Sequence, residues 1–153
     1  MEFKLTSPAF SNGMQIPSKY TCDGENINPH LIIHGHPEKT KSLALVMTDQ
    51  DAPAEFAVHW IVWNISPELS EIKEHSVPHG AGVGLNGRGK CGYLGPCPGS
   101  GAHRYLLRLY ALDTKLKLAD NVGRLVLEAA LESHILAATE LMGTYSRTNE
   151  APR

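Results

Sequence analysis

The sequence predicts a mainly β domain closed by a C-terminal helix, and three features carry that expectation. Short apolar runs bounded by turn residues occupy the first part of the chain. A stretch from 80 to 101, crowded with glycine and prolines, interrupts them, and a leucine- and alanine-rich segment from Val122 to Met142 follows. Strands first and helix last make a sheet-based domain with late helical cover.

Phe3–Thr6 and Leu31–Ile33 are the weaker strand candidates. Leu43 to Met47 is a continuous apolar run, as expected of a strand covered on both faces. In His59–Ile65, strict alternation puts His59, Ile61, Trp63 and Ile65 on one face. In His103–Leu112 it groups His103, Tyr105, Leu107, Leu109 and Ala111. Between 80 and 101 glycine is entropically unfavourable in regular elements and Pro96 and Pro98 remove ladder donors, so an irregular loop is expected. A loop of that length in a compact domain is usually functional or disordered. Val122–Met142 has helical composition, with Asp120 or Asn121 to cap its start and Gly143 to end it in the left-handed conformation. Its apolar residues Leu125, Leu127, Leu131, Ile135, Leu136 and Leu141 exceed one stripe. The surplus predicts a homodimer, with two short helices broken near Ser133 as the alternative.

The length fits a single domain spanning 1–153. A net charge of -2 offers no electrostatic footprint for nucleic acid. No window approaches the roughly 20 apolar residues of a membrane span. Met1 to Thr6 lack the basic segment and apolar run of a secretion signal, so a cytoplasmic protein is expected. Three cysteines exclude a closed disulfide framework. Cys91 could bridge Cys97 across the Gly/Pro-rich loop, but reduced thiols are the simpler expectation in a cytosolic chain.

Gly82-Val83-Gly84-Leu85-Asn86-Gly87 matches a dinucleotide-binding pattern, and Gly84 to Lys90 nearly spells a phosphate loop. Neither is followed by a residue run that a helix would tolerate, and Cys91 stands where the phosphate loop needs a magnesium-binding hydroxyl. His30, His34 and His36 share one face of an extended segment, but no cysteine or carboxylate at ligand spacing supports a metal there. No metal or cofactor is expected. His134 reads as a packed or interfacial residue. His59 and His103 each open a strand after a turn-rich segment, while Asp49 and Asp51 close the buried run before Pro53. A carboxylate at one strand end and imidazoles at two strand starts can converge at one sheet end and engage a phosphate or carboxylate. From the residues alone, separately satisfied polar groups explain them equally well.

Asp49-Gln50-Asp51-Ala52-Pro53 resembles the D-P-D-A-P signature of the phosphatidylethanolamine-binding family, and His59-Trp60-Ile61-Val62-Trp63-Asn64-Ile65 resembles its H-W-x-V-x-N-I strand. Gly92-Tyr93-Leu94-Gly95-Pro96-Cys97-Pro98 followed by Gly101-Ala102-His103-Arg104-Tyr105 is similar to its G-Y-x-G-P-x-P…G-x-H-R-Y segment. Asp23-Gly24 with Asn26 and Pro29 matches its early element. Leu109 to Asp113 and Gly143-Thr144-Tyr145 are like its bacterial and archaeal, Raf-kinase-inhibitor-like branch.

The resemblance implies a β-sandwich with a small pocket for phosphate-like or carboxylate groups, built from Asp49, Asp51, Pro53, His59, Gly95, Pro96, His103 and Tyr105. Gln50 replaces a proline in the first motif, and Gly99 replaces the second proline after Pro98, which together predict a looser turn and rim. The expected function is non-enzymatic binding of a phospholipid headgroup or a phosphorylated small molecule. In it His59 and His103 donate to the anion, Asp49 orients His59, and Tyr105 and loop N–H groups complete the cradle. No integral membrane association is expected. The alternatives are a hydrolase using the Asp/His cleft and an interaction protein that inhibits a kinase or protease.

Overall fold

The computed structural model describes residues 2–147. Eight strands and one α-helix run β1 (Lys4–Thr6), β2 (Leu31–His34), β3 (Ser42–Asp49), β4 (Val58–Ile65), β5 (Glu71–Ile72), β6 (Gly82–Val83), β7 (His103–Leu112), α1 (Arg124–Leu131) and β8 (Ile135–Tyr145). They form a three-stranded sheet ordered β1-β2-β5 and a five-stranded sheet ordered β6-β4-β3-β7-β8. Every pairing within them is antiparallel.

Strand β3 sits at the centre of the large sheet, and all eight of its residues are buried. Leu43, Leu45 and Met47 face the small sheet and pack in one core with Leu5, Leu31 and Leu107. Ala44 and Val46 face the other way, into a second core with Ile61, Trp63, Leu127 and Leu131 of the helix side. Coverage on both faces is what its continuous apolar run anticipates.

Strand β4 departs from strict alternation twice. Its register with β3 slips between Leu43↔Ile65 and Leu45↔Val62, and again between Met47↔Trp60 and Thr48↔Val58. At the first slip Asn64 adopts φ 55°, and its amide both donates to the Leu116 carbonyl and accepts from the Leu116 N–H, each at 2.8 Å. Ile65 therefore joins the inter-sheet core while Ile61 and Trp63 pack under the helix, so the single face expected for them is split. At the second slip His59 is the extra residue.

The C-terminal segment differs most from expectation. The helix covers only Arg124–Leu131 and starts from Gly123 with no side-chain cap, a 3₁₀ turn spans Glu132–His134, and β8 then pairs with β7 along ten residue pairs. Ala, Leu, Glu and Met favour a helix, but only by tenths of a kcal/mol each, and pairing to a buried partner overrides that. Gly143 is a strand residue: a Cβ there would overlap the Ile16 side chain and crowd Phe10. His134 lies in the 3₁₀ turn, half-buried, with Nδ1 2.8 Å from Asp113 Oδ1. The glycine-crowded stretch is not wholly irregular either, since Gly82–Val83 pairs with β4 and Leu85 bridges Cys91.

The cysteine pairing also differs. Cys22 bonds Cys97, with the Cα atoms 5.4 Å apart, and Cys91 is free and exposed. The segment around Cys22 packs on the Gly/Pro-rich loop: Cys22 N–H donates to the Pro96 carbonyl at 3.1 Å, and the Tyr93 hydroxyl donates to the Tyr20 carbonyl at 2.8 Å. Two of the three cysteines are thus bridged where reduced thiols were expected, and the cysteines no longer argue for a reducing compartment. Among the described residues no helix is long and apolar enough to cross a membrane. His30, His34 and His36 are engaged separately, with Glu71, Thr6 and the Pro37 carbonyl.

The bridge closes a loop between residues 75 apart in sequence, so breaking it frees a long unfolded segment. Cys22→Ser or Cys97→Ser is expected to lower stability by about 2–4 kcal/mol in urea titration. Cys91→Ser should leave the midpoint nearly unchanged. Equal effects at all three positions would contradict the pairing.

Candidate functional site

Antiparallel order brings the end of β3 beside the starts of β4 and β7, so Asp49, His59 and His103 meet at one end of the large sheet. The two sides of the glycine-rich loop close over them. Together they bound a cavity of about 310 Å³ whose wall includes Asp49, Pro53, His59, Gly95 and His103. These are five of the eight residues expected there.

Asp49 is almost fully buried, and its carboxylate is satisfied from two sides. Oδ2 lies 2.7 Å from His103 Nδ1, and Oδ1 accepts the Asp51 N–H at 2.8 Å. Asp49 therefore orients His103, not His59. Since a carboxylate accepts, Nδ1 of His103 carries the proton in this contact and Nε2 is the nitrogen left over.

His59 is placed differently. Its Nδ1 lies 2.6 Å from the Leu94 carbonyl, and Leu94 N–H returns a bond to the His59 carbonyl at 2.8 Å. As the extra residue of a bulge, His59 is re-aimed out of the strand's alternation, a recurrent use of bulges beside functional sites. Burial holds its pKa below the ordinary value, outweighing the Leu94 carbonyl and the Asp49 charge. The neutral ring keeps its proton on Nδ1, since a carbonyl can only accept, and Nε2 presents a lone pair. The Asp49 charge does raise this pKa, but burial outweighs it, so the neutral ring presents an acceptor where a donor was expected.

Tyr105 is fully buried and does not line the cavity. Its ring stands edge-on to His59 at 5.2 Å between centroids and stacks with His103 at 6.4 Å, so it acts as a wedge between the imidazoles. Its hydroxyl makes no hydrogen bond of normal geometry, although burial and the neighbouring Asp49 push its pKa upward. Asp51 also points away from the cavity. Its two oxygens take Arg104 Nη2 at 2.8 Å and Nε at 3.0 Å, with the Arg104 N–H at 2.8 Å. Arg104 pulls the Asp51 pKa down to about 2. Gln50 does not loosen this turn: its N–H donates to the Arg104 carbonyl at 2.8 Å, a bond a proline could not make.

Pro96 lies outside the wall, its carbonyl taken by Cys22. Gly95 is required by crowding, since a Cβ would overlap Asn26 Oδ1 and the Tyr20 carbonyl, and its N–H donates to Asn26 Oδ1 at 2.8 Å. The amides of Leu94 and Gly95 are thus already spent and cannot join a cradle. Eight wall residues lie outside the expected set, among them Phe56, Arg88, Leu94 and Cys97. Arg88 sits in the stretch that looks like a phosphate loop, which was the only signal for it.

The phosphatidylethanolamine-binding protein family model matches residues 6–146. A UPF0098 protein of Methanothermobacter thermautotrophicus is 45% identical over 94% of this chain and 98% of its own length. One from Chlamydia muridarum is 44% identical over 94% and 99%. A crystal structure of a phosphatidylethanolamine-binding protein homologue from Chlamydia trachomatis is 42% identical and superposes with a TM-score of 0.90, covering 95% of this chain and 97% of that one. Escherichia coli YbcL, described as a member of the mammalian family, is 30% identical with a TM-score of 0.89, over 97% and 100%. The chain belongs to the phosphatidylethanolamine-binding protein family and has its mainly β fold.

His59 yields a pH prediction. Its folded-state pKa lies below its unfolded value, so between the two the unfolded chain binds the extra proton. Stability should therefore fall as pH drops below about 6.5, the unfolded value. The His59 resonances should titrate below that value in NMR, and His59→Gln should flatten the acid limb of the urea midpoint. Titration above 6.5 would refute the burial argument.

Proposed function

We propose that the chain binds a phosphate or carboxylate oxyanion in this cavity without turning it over. The ligand would be a phospholipid headgroup or a phosphorylated small molecule. The observation that carries the reading is the Asp49–His103 contact, which spends one ring nitrogen on a buried carboxylate and leaves the other for a ligand. Cys97, which borders the cavity, is bridged to Cys22, which favours binding over covalent catalysis.

The proton inventory makes the reading specific. His103 donates to the anion through Nε2 only as an imidazolium, its Nδ1–H staying on Asp49, while His59 offers a lone pair in its neutral form. A fully ionised phosphate would face that lone pair with oxygens that only accept. One further proton, on the phosphate or on His59, converts the clash into a hydrogen bond. Binding should therefore take up a proton, and affinity should weaken as pH rises. Calorimetry of inorganic phosphate and phosphoethanolamine in buffers of different ionisation enthalpy reads the uptake directly. His103→Ala should cost about 1.5–3 kcal/mol of binding. A flat pH profile with unchanged His103→Ala affinity would sink the proposal.

The proposal includes a homodimer. Leu125 (80% exposed) and Val126 at the start of α1, and Ile135 and Leu136 at the start of β8, the outermost strand of its sheet, are exposed apolar residues that offer a surface for a partner. A second copy covering it by a twofold axis would hide the same patch on both protomers. Light scattering across a concentration series should give twice the monomer mass, and Leu125→Glu should lower it towards one. A monomer at high micromolar concentration rules the dimer out.

A further inference from the structure

The cavity is larger than a single oxyanion needs. At about 30 Å³ per water, its 310 Å³ corresponds to roughly ten waters, whereas phosphate has five heavy atoms. What lines the remaining space therefore decides what else a ligand carries.

The charges near the histidines are already committed. Asp49 faces His103, and Arg104 is held in both directions by Asp51. Arg88, an exposed residue of the cavity wall, is not. The other described arginines are each in an ion pair, Arg104 with Asp51, Arg108 with Glu140, Arg124 with Glu128 and Arg147 with Asp23. Among the side chains the structure describes, which do not include that of Glu55, no carboxylate pairs with Arg88.

Its backbone is nevertheless well held. The Arg88 N–H donates to Asn86 Oδ1 at 2.9 Å, Asn86 Nδ2 reaches the Gly92 carbonyl at 3.1 Å, and the neighbouring Gly87 N–H donates to the Val58 carbonyl at 2.8 Å. Arg88 is thus anchored to the start of β4, one residue from His59. Pro53, Pro98 and Phe56, the last 60% exposed, line the same cavity, and the Phe56 carbonyl lies close to Gly87. They offer an apolar surface for the linking atoms of a ligand.

Building on the anion-binding reading above, we propose that Arg88 selects ligands carrying a second anionic group beyond the one held at the histidines. A guanidinium fork engages carboxylate or phosphate through two parallel hydrogen bonds, and it repels an ammonium placed at the same point. The pocket accordingly prefers a phosphate ester with a second carboxylate or phosphate over one ending in a cation.

Phosphoglycolate and phosphoethanolamine test this, because they have similar length and opposite charge at the far end. Calorimetry on the full chain at one pH and ionic strength should favour phosphoglycolate by about tenfold or more, the low end of one charge-assisted hydrogen bond. Arg88→Ala should bring the ratio close to one, and Arg88→Glu should reverse it. Both substitutions keep the backbone N–H that holds the turn. If both compounds bind in a His103-dependent manner and the ratio is the same in all three proteins, the role of Arg88 is overturned and the anion pocket stands. If neither compound nor inorganic phosphate binds, or if binding ignores His103→Ala, the anion reading fails and the selectivity falls with it.

Discussion

Strand β3 is buried along its whole length and ends in a carboxylate, and the rest of the molecule is arranged around that fact. Its two faces supply both cores, so the small sheet and the helix must each cover one. A buried charge at its end, left alone, would cost several kcal/mol. Asp49 is instead met by the His103 ring and the Asp51 amide, which fixes the start of β7 and the turn after β3 relative to each other. Asp51 and Arg104 lock the same corner from outside. The imidazole that faces the cavity is thus a consequence of satisfying the strand end.

The second imidazole answers to a different constraint. His59 would lie in the plain alternation of β4 were it not the extra residue of a bulge, and the Leu94 carbonyl then holds its ring. Leu94 and Gly95 are pinned in turn by His59 and Asn26, and Cys97 by Cys22. The loop over the cavity is therefore tied at three successive places to two parts of the chain. Gln50 and Gly99 suggested a loose site, but at Gln50 an added amide bond closes the turn. At Gly99 nothing lies within contact distance of a side chain, so that rim position is open.

Much of this was legible in the residues, and what escaped did so for physical reasons. The apolar run of β3 and the alternation of β7 were visible, because burial on two faces and on one leave different patterns. The family motifs located Asp49, His59 and His103. The two bulges were invisible, since an inserted residue changes facing without changing composition; Asn64 alone, in a left-handed conformation, carries a local hint. Strand β8 was misread because Ile135 to Met142 is made of good helix formers. Leu141, Gly143 and Tyr145 do alternate as one buried set, but three positions are a weak period against the six favourable propensities of Leu136, Ala137, Ala138, Glu140, Leu141 and Met142. The Cys22–Cys97 pairing depends on two segments meeting across 75 residues, which no spacing argument reaches.

The site also shows why recognising its motifs does not settle its selectivity. Asp49, Asp51, His103 and Arg104 pair among themselves, and His59 is held neutral by burial, so the motif residues place hydrogen-bonding atoms while committing most of their charge internally. Discrimination among ligands that all bear an oxyanion must come from groups outside those pairs. In this chain the charge at the cavity left outside the described pairs belongs to Arg88, on a turn that carries none of the family's motif residues. A loop can change that residue without disturbing the Asp49–His103 contact, because its anchors are backbone amides and Asn86. The strand ends thus define where an anion sits, and the loop is left free to define what is attached to it.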